Sequence, residues 1–231
     1  AIQGFGHVQA DADEHPGQTL AMAEHDLQRA FALQPAHVSH YQLTLEPNTV
    51  FFARPPQGIP DDDLAWDMQE HCQALLADAG YRHYEVSAYA RAGRRCAHNL
   101  NYWRYGDYIG IGAGAHGKIT VGATQQVLRR WKIKHPTAYL ATAGTPDAIG
   151  GDDDITPERR PFEFMLNALR LQDGFALADF TATTGLPAEH IATPLEQARQ
   201  RGWLALSGTN VMLTALGRRF TNDVIELFLD H

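Results

Sequence analysis

The sequence predicts an α/β domain followed by a small, mostly helical domain. Two observations carry this. Up to Gly117, apolar residues at helical spacing alternate with short period-2 runs, the pattern of an α/β sheet with parallel strands. Past Gly144 to Asp154 (GTPDAIGGDDD), a small, polar and acidic stretch that reads as a linker, the order becomes three helices, a hairpin and a last helix.

Residues 1–15 (AIQGFGHVQADADEH) hold Phe5 and Val8 among small residues, but the run from Ala10 to His15 is too polar for a buried strand. Thr19 is placed to cap a helix carrying Leu20, Ala23, Leu27, Ala30 and Phe31, which Pro35 ends. Tyr41, Leu43 and Leu45 alternate with Gln42, Thr44 and Glu46, which predicts a strand stopped by Pro47. Residues 52–60 form a proline-rich loop. Asp61, Asp62 and Asp63 then open a helix whose apolar face is Leu64, Met68, Cys72, Leu75 and Ala79, with Gly80 just past its end. Tyr84, Val86 and Ala88 predict the next strand. A polar loop, Arg91 to Arg95, leads to His98.

In the later part, Phe162, Met165, Leu166, Leu169 and Leu171 share one helix, and Leu177 to Thr183 a second. Ile191, Leu195, Ala198 and Trp203 mark a third, which stops near Gly202. Leu204–Leu206 and Val211–Leu213 flank Ser207-Gly208-Thr209-Asn210 as a hairpin. Phe220, Val224, Leu227 and Phe228 give the last helix. This is the order of a winged helix. Residues 152–231 carry seven arginines and no lysine against twelve carboxylates, five net negative charges, which opposes phosphate binding and favours a packing or protein-docking module.

The whole chain of 231 residues is acidic as well, with a net charge of −8, so nucleic acid is excluded as a partner. No apolar run approaches the roughly 20 residues of a membrane span. The two cysteines, Cys72 and Cys96, form no disulfide scaffold and fit a reducing cytoplasm. Cys72 lies on an apolar helix face and reads as a core thiol. Cys96 and His98 lack a nearby third ligand, so zinc is not expected.

Chemistry concentrates in His98–Gly117, HNLNYWRYGDYIGIGAGAHG. An imidazole stands beside Asn99 and Asn101 and the aromatics Tyr102 and Trp103. Gly110, Gly112 and Gly114 follow at period 2, which predicts a strand with one bare face, the mark of close approach by a ligand or another backbone. The two amides also fit a turn. A flat aromatic wall and a bare backbone suit a large planar ligand, and neutral imidazole is a common donor to iron. Gly110 to Ala115 also matches G-x-G-x-x-A, but Lys118-Ile119-Thr120-Val121 does not open the helix that a dinucleotide fingerprint needs. Lys118, Lys132 and Lys134, all the lysines of the chain, cluster with Arg129, Arg130 and Trp131. They read as a solvated hairpin face, or as a patch that attracts anionic groups.

HNLNYW followed by GDYIGIGAGAHG resembles the HemW family, radical SAM haem chaperones related to the oxygen-independent coproporphyrinogen III oxidases. His98, Asn99, Tyr102 and Trp103 match the four fixed positions of that family's haem motif, H-N-x-x-Y-W. Pro16-Gly17-Gln18-Thr19 and the helix Glu163–Leu171 (EFMLNALRL) match it too. The apolar residues usual before the PGQT turn are missing here.

The resemblance implies a fold in which residues 1–143 are the later portion of a radical SAM partial (β/α) barrel plus the haem-motif extension, 144–154 a linker, and 155–231 a winged-helix-like C-terminal domain. It implies haem held by His98 through the iron, with Asn99, Tyr102 and Trp103 around it, and delivery to acceptor haem proteins of the respiratory chain. A peripheral membrane contact is compatible with that role. It also implies a [4Fe–4S] cluster and S-adenosylmethionine in full-length relatives. Gln42 and Thr44 would lie near the S-adenosylmethionine pocket, and the cluster cysteines outside this chain, which holds no C-x3-C-x2-C. Two alternatives remain: an oxidase converting coproporphyrinogen III to protoporphyrinogen IX, and a degenerate interaction scaffold.

Overall fold

A computed structural model of the protein describes residues 17–41, 43, 45, 47, 49–122 and 124–229. The expectations for residues 1–15, and for Gln42 and Thr44 at a cofactor pocket, fall outside the described residues. By contacts the chain divides into two compact units, Ala1–Cys96 and Ala97–His231.

In the first unit Thr19 caps α1 (Leu20–Ala32), its hydroxyl accepting the Met22 N–H. The following strand is β1 (His37–Ser39), buried throughout. Tyr41, Leu43 and Leu45, expected in a strand, lie outside it; the strand sits earlier, where His37 and Val38 bury. A short α2 (Val50–Ala53), capped by Thr49, opens the proline-rich loop. Then α3 (Asp62–Asp78) starts at Asp61, whose carboxylate accepts the Leu64 N–H at 2.9 Å. Its buried face is Ala65, Met68, Cys72 and Leu76. Leu64 is exposed and Leu75 half-buried, so the face that meets α1 is turned slightly from the expected one. Gly80 takes φ +84°, the left-handed conformation that ends a helix.

The expected strand at Tyr84–Ala88 is instead a turn between β2 (Arg82–His83) and β3 (Ala88–Ala90). The Glu85 carboxylate accepts the Ser87 N–H at 3.2 Å inside that turn. The sheet order is β1-β3-β2, and both ladders are antiparallel. Parallel pairing, expected from helix–strand alternation, is thus absent among the described residues of this sheet. The reversal at Tyr84–Ser87 brings β3 back between β1 and β2. Ala23, Leu27, Val38, Met68, Cys72, Leu76, Tyr81 and Tyr89 form the core of the unit. Tyr84 is fully buried, its hydroxyl 2.8 Å from His37 Nε2 and accepting the Cys96 N–H at 3.3 Å.

The second unit begins with α4 (Ala97–Trp103). Next comes an antiparallel sheet in the order β4 (His116–Val121), β5 (Gln126–Lys132), β6 (Ile149–Ile155), with α5 (Pro136–Thr142) before β6. Most of the segment expected as a linker is therefore strand. Its acidic residues find partners: Asp152 takes both ends of the Arg130 fork at 2.6 and 2.9 Å, and Asp154 accepts from Gln126 at 2.8 Å. Opposite charges across a strand pair favour the ladder.

The helices and hairpin expected after it form. They are α6 (Arg160–Ala168), β7 (Phe175–Ala176), α7 (Leu177–Thr184), α8 (Ala192–Gln200), β8 (Leu204–Ser207), β9 (Asn210–Leu213), α9 (Ala215–Arg219) and α10 (Thr221–Glu226). The small sheet has the order β7-β9-β8. Phe164 is at the centre of the core, with Phe175 and Phe180 edge-on to it at 5.0 and 5.3 Å. Tyr105, Val127 and Ile155 join the same core, so the three-stranded β4-β5-β6 sheet and the helices pack as one unit. The boundary expected at 144–154 is not where contacts divide the chain.

Candidate functional site

His98 lies in α4, just past the loop expected at Arg91 to Arg95. Successive helical residues turn by about 100°. The spacing H-N-x-x-Y-W therefore puts His98, Tyr102, Asn99 and Trp103 within about 140° of one face, with Leu100 on the other side. His98 is exposed, and Asn99, Tyr102 and Trp103 are half-buried. The His98 ring meets Tyr102 edge-on, centroids 4.8 Å apart and planes at 72°. Tyr102 in turn packs on Tyr108 at 4.3 Å.

The segment after the helix holds this ring chain in place. The helix stops as the chain turns through Tyr105 at φ +58°, and Gly106 N–H donates to the Asn101 carbonyl at 2.8 Å. Gly106 packs so tightly on the Asn101 side chain that no Cβ fits there. Asn101 Nδ2 donates to the Asp107 carbonyl at 2.9 Å, so Asn101 supports the turn and is not part of the His98 face. Tyr105 is buried against Phe164, and the Lys118 ammonium lies 4.1 Å over its ring, a cation–π contact.

Asp107 is the centre of the polar contacts. Its carboxylate accepts from Lys118 Nζ at 2.9 Å, from Thr120 Oγ1 at 2.9 Å and from the Thr120 N–H at 2.8 Å. Burial alone would raise its pKa, but these hydrogen bonds hold it below the usual carboxylate range. Lys118 is 2% exposed, and burial lowers its pKa against the pull of Asp107. Tyr108 is fixed by a bridge to Lys118, with two backbone hydrogen bonds of 2.9 Å each. Burial raises the Tyr108 phenol above its ordinary value. Sequence reasoning missed Asp107, Tyr108 and Lys118 as parts of this site, although G-D-Y stands in the stretch it singled out.

The glycines act differently from the expectation. Gly112 and Gly114 take φ +115° and +69°, so the segment is a turn and not a strand with a bare face. The turn is tied by Gly114 N–H to the Ile133 carbonyl at 2.8 Å and by Gly112 N–H to the Tyr139 hydroxyl at 3.2 Å. Gly110 lies against the His116 backbone, where a Cβ would collide with the His116 carbonyl. The flanking Ile109 and Ile111 are 77% and 86% exposed. No helix comes after the turn; β4 does, as the dinucleotide pattern's exclusion required.

Much of the basic cluster is committed internally. Lys118 serves Asp107, Arg130 serves Asp152, and Arg129 makes a fork to Glu163 at 3.2 and 2.6 Å. Cys72 is buried, and burial first, then the Glu24 charge, pushes its thiol up to about 11. It is a protonated core residue. Among the described residues no group of three or more His, Cys, Asp and Glu is arranged to hold a metal ion. A haem iron needs only an axial donor from the protein. The exposed His98 imidazole, backed by a ring and flanked on its face by Tyr102 and Trp103, is a donor set that fits haem.

Residues 155–220 match the model of the HemN C-terminal domain. The chain is similar to proteins named heme chaperone HemW from Haemophilus influenzae and Escherichia coli, each 44% identical over 93% of this chain, and to that of Bacillus subtilis at 33%. It spans about half the length of these relatives, 54% to 56%. A solved structure of the Escherichia coli coproporphyrinogen III oxidase (HemN), described as a radical SAM enzyme, superposes with a TM-score of 0.69. That match covers 94% of this chain and 54% of the enzyme at 17% identity, and it shows a shared fold. No helix among the described residues is long and apolar enough to cross a membrane. With 44% identity sustained over nearly its whole length, the chain belongs to the HemW family.

Proposed function

We propose that this protein holds haem and passes it on. The His98 imidazole is the axial donor to the iron, Tyr102 and Trp103 are walls for the macrocycle, and Asn99 offers an amide at its edge. The observation that carries this reading is the α4 face, where an exposed imidazole is held edge-on by Tyr102 at 4.8 Å. Tyr102 restricts the imidazole and leaves its far side open, which suits a ligand that must be bound and then released. The recipients are acceptor haem proteins, those of the respiratory chain being the expected ones, and the exchange takes place in the cytoplasm.

A [4Fe–4S] cluster and S-adenosylmethionine belong to this proposal through the family alone. The chain's two cysteines, one of them the buried Cys72 thiol, do not make a cluster-binding set. The oxidase reading rests on likeness of fold to an enzyme 17% identical. Incubation with coproporphyrinogen III separates the two, since the oxidase removes two carboxyl groups and a carrier none.

The direct test is a haem titration followed by visible absorption, with wild type and His98→Ala side by side. A saturable Soret band at one haem per chain, lost or shifted in the variant, supports the assignment. Equal weak uptake by both proteins overturns it.

A further inference from the structure

Between α7, α8 and β8 the second unit has an apolar cleft of about 360 Å³. Its walls follow from two periodicities. On α8, Ala192, Leu195, Glu196 and Arg199 fall at i, i+3, i+4 and i+7, so one stripe of the helix faces the cleft. Leu195 is buried and joins the core, whereas Ala192 is exposed and too small to fill the space beside it. Leu204 and Leu206 are two apart on β8 and project from one face. Leu204 lies in the core at 3% exposure, but Leu206 stands past its edge at 43%. Leu177, the first residue of α7, lines the cleft half-buried. The cleft is therefore an extension of the core face that none of the described residues covers.

Charge decides what suits it. The elements that line the cleft are α7, the turn Ala188–Ile191, α8 and β8. They carry Asp179, Glu189 and Glu196 against Arg199 alone. The Arg199 guanidinium is already taken up by Glu196, with both arms of its fork at 2.7 Å. Glu189 lines the cleft, is exposed, and has no ion-pair partner among the described residues. Residues 152–231 contain no lysine and carry five net negative charges. This field repels phosphates, acidic peptides and anionic headgroups, and draws cations.

We propose that this cleft is a docking site for a basic amphipathic helix of a partner protein. Binding sites start at about 300 Å³, so the cleft has room for large aliphatic side chains. Such side chains, repeating along one face of a helix, enter between Leu177, Leu195 and Leu206. Lys or Arg beside them meets Glu189. The apolar anchors give grip, and the opposite charges give orientation and reject acidic partners. None of the cleft residues belongs to α4, and docking needs no haem, so this proposal stands or falls apart from the haem reading.

The test is fluorescence anisotropy of a labelled model helix built of Leu and Lys, without haem, beside its counterpart built of Leu and Glu. Both are titrated with wild type, Ala192→Trp, Glu189→Lys and Ala205→Trp. Ala192 is exposed, so the indole fills the cleft without entering the core. Ala205 is exposed on the other face of β8, so its variant adds the same indole outside the cleft. Circular dichroism shows that each variant is folded. Wild type and Ala205→Trp should bind the Leu–Lys helix saturably and leave the Leu–Glu helix unbound. Ala192→Trp should bind about tenfold more weakly, and Glu189→Lys several-fold more weakly with a smaller response to salt. No saturable binding by wild type, equal binding by Ala192→Trp, or equal binding of the Leu–Glu helix overturns the proposal. Sedimentation of the same proteins alone gives one further outcome. A wild type that dimerises while Ala192→Trp stays monomeric places a second copy in the cleft, and overturns the basic helix as its occupant.

Discussion

Tyr102 on α4 and Tyr108 beside β4 pack with ring centroids 4.3 Å apart and planes tilted by 43°, and through that contact the sheet supports the helix face that carries His98. The short segment between them holds a helix stop, a turn and the approach to a β-bridge. The site is therefore one helix face supported from below by one strand.

Replacing the support should be felt at the ligand. An aromatic pair of this kind contributes about 0.5–1.5 kcal/mol beyond its buried area. Tyr108→Ala should lower stability by about 2 kcal/mol and weaken haem affinity several-fold, while Tyr108→Phe keeps both. Chemical denaturation and haem titration on the same preparations check this. Unchanged affinity in the alanine variant would mean that Tyr102 needs no backing.

Asp107 predicts an acid-sensitive step. Its pKa is lower in the folded protein than in the unfolded chain. Its contribution is therefore complete above the unfolded value, about 3.9, and is lost as pH falls through the folded value. Asp107→Asn leaves the Lys118 ammonium, 3% exposed, without its counter-charge. The expected loss is about 2–4 kcal/mol at pH 7. Asp107→Asn combined with Lys118→Met should recover much of it, as thermal melts of the two variants would show.

Gly110→Ala tests the close approach of the turn to β4. The new methyl meets the His116 carbonyl, so either the turn or the strand must shift. A loss of about 1–3 kcal/mol is expected, with a changed environment at Trp131 visible in its fluorescence. Gly122→Ala, where a Cβ meets nothing within 4 Å, is the control and should be nearly neutral.

Cys72 predicts an alkaline effect. Its folded pKa is about 11 against an ordinary 9.0. The unfolded chain therefore loses the proton first, and stability falls as pH rises from about 9 toward 11. Cys72→Ala should abolish that slope, cost about 1–2 kcal/mol from the cavity left, and leave haem binding unchanged. In thiol-labelling of the native protein at pH 8, Cys96 should react and Cys72 should wait for unfolding.

Local signals in the sequence were good guides wherever structure is local. Thr19 caps the helix it was expected to cap, the helix expected to open at Asp61–Asp63 starts there with Asp61 as its cap, and Gly80 ends it with φ +84°. The hairpin at Gly208 and the helices around Phe164 and Val224 are where side-chain period put them. Strands of the first unit were misplaced because β1 and β3 are three residues long and buried on both faces, which leaves no alternation to read. Period-2 glycines looked like a bare strand face, yet Gly112 and Gly114 are spaced that way by turn geometry. Asp152 and Asp154 looked like linker residues because their partners on β5, Arg130 and Gln126, are 22 and 28 residues away in sequence, where no local pattern reaches. At the site the motif was legible, as four residues on one α4 face. The backing by Tyr108 and Asp107 was not, because it is made across the β4 ladder.

The acidic strand has one more effect. In the order β4-β5-β6 the outer strand is β6, and it displays three aspartates in succession at its far end. An unpaired strand edge is a template on which further chains add and aggregate, and in-line charge deters them. The residues that neutralise β5 on one side thus guard the sheet on the other. Charge along this border works against further copies of the chain adding to the sheet.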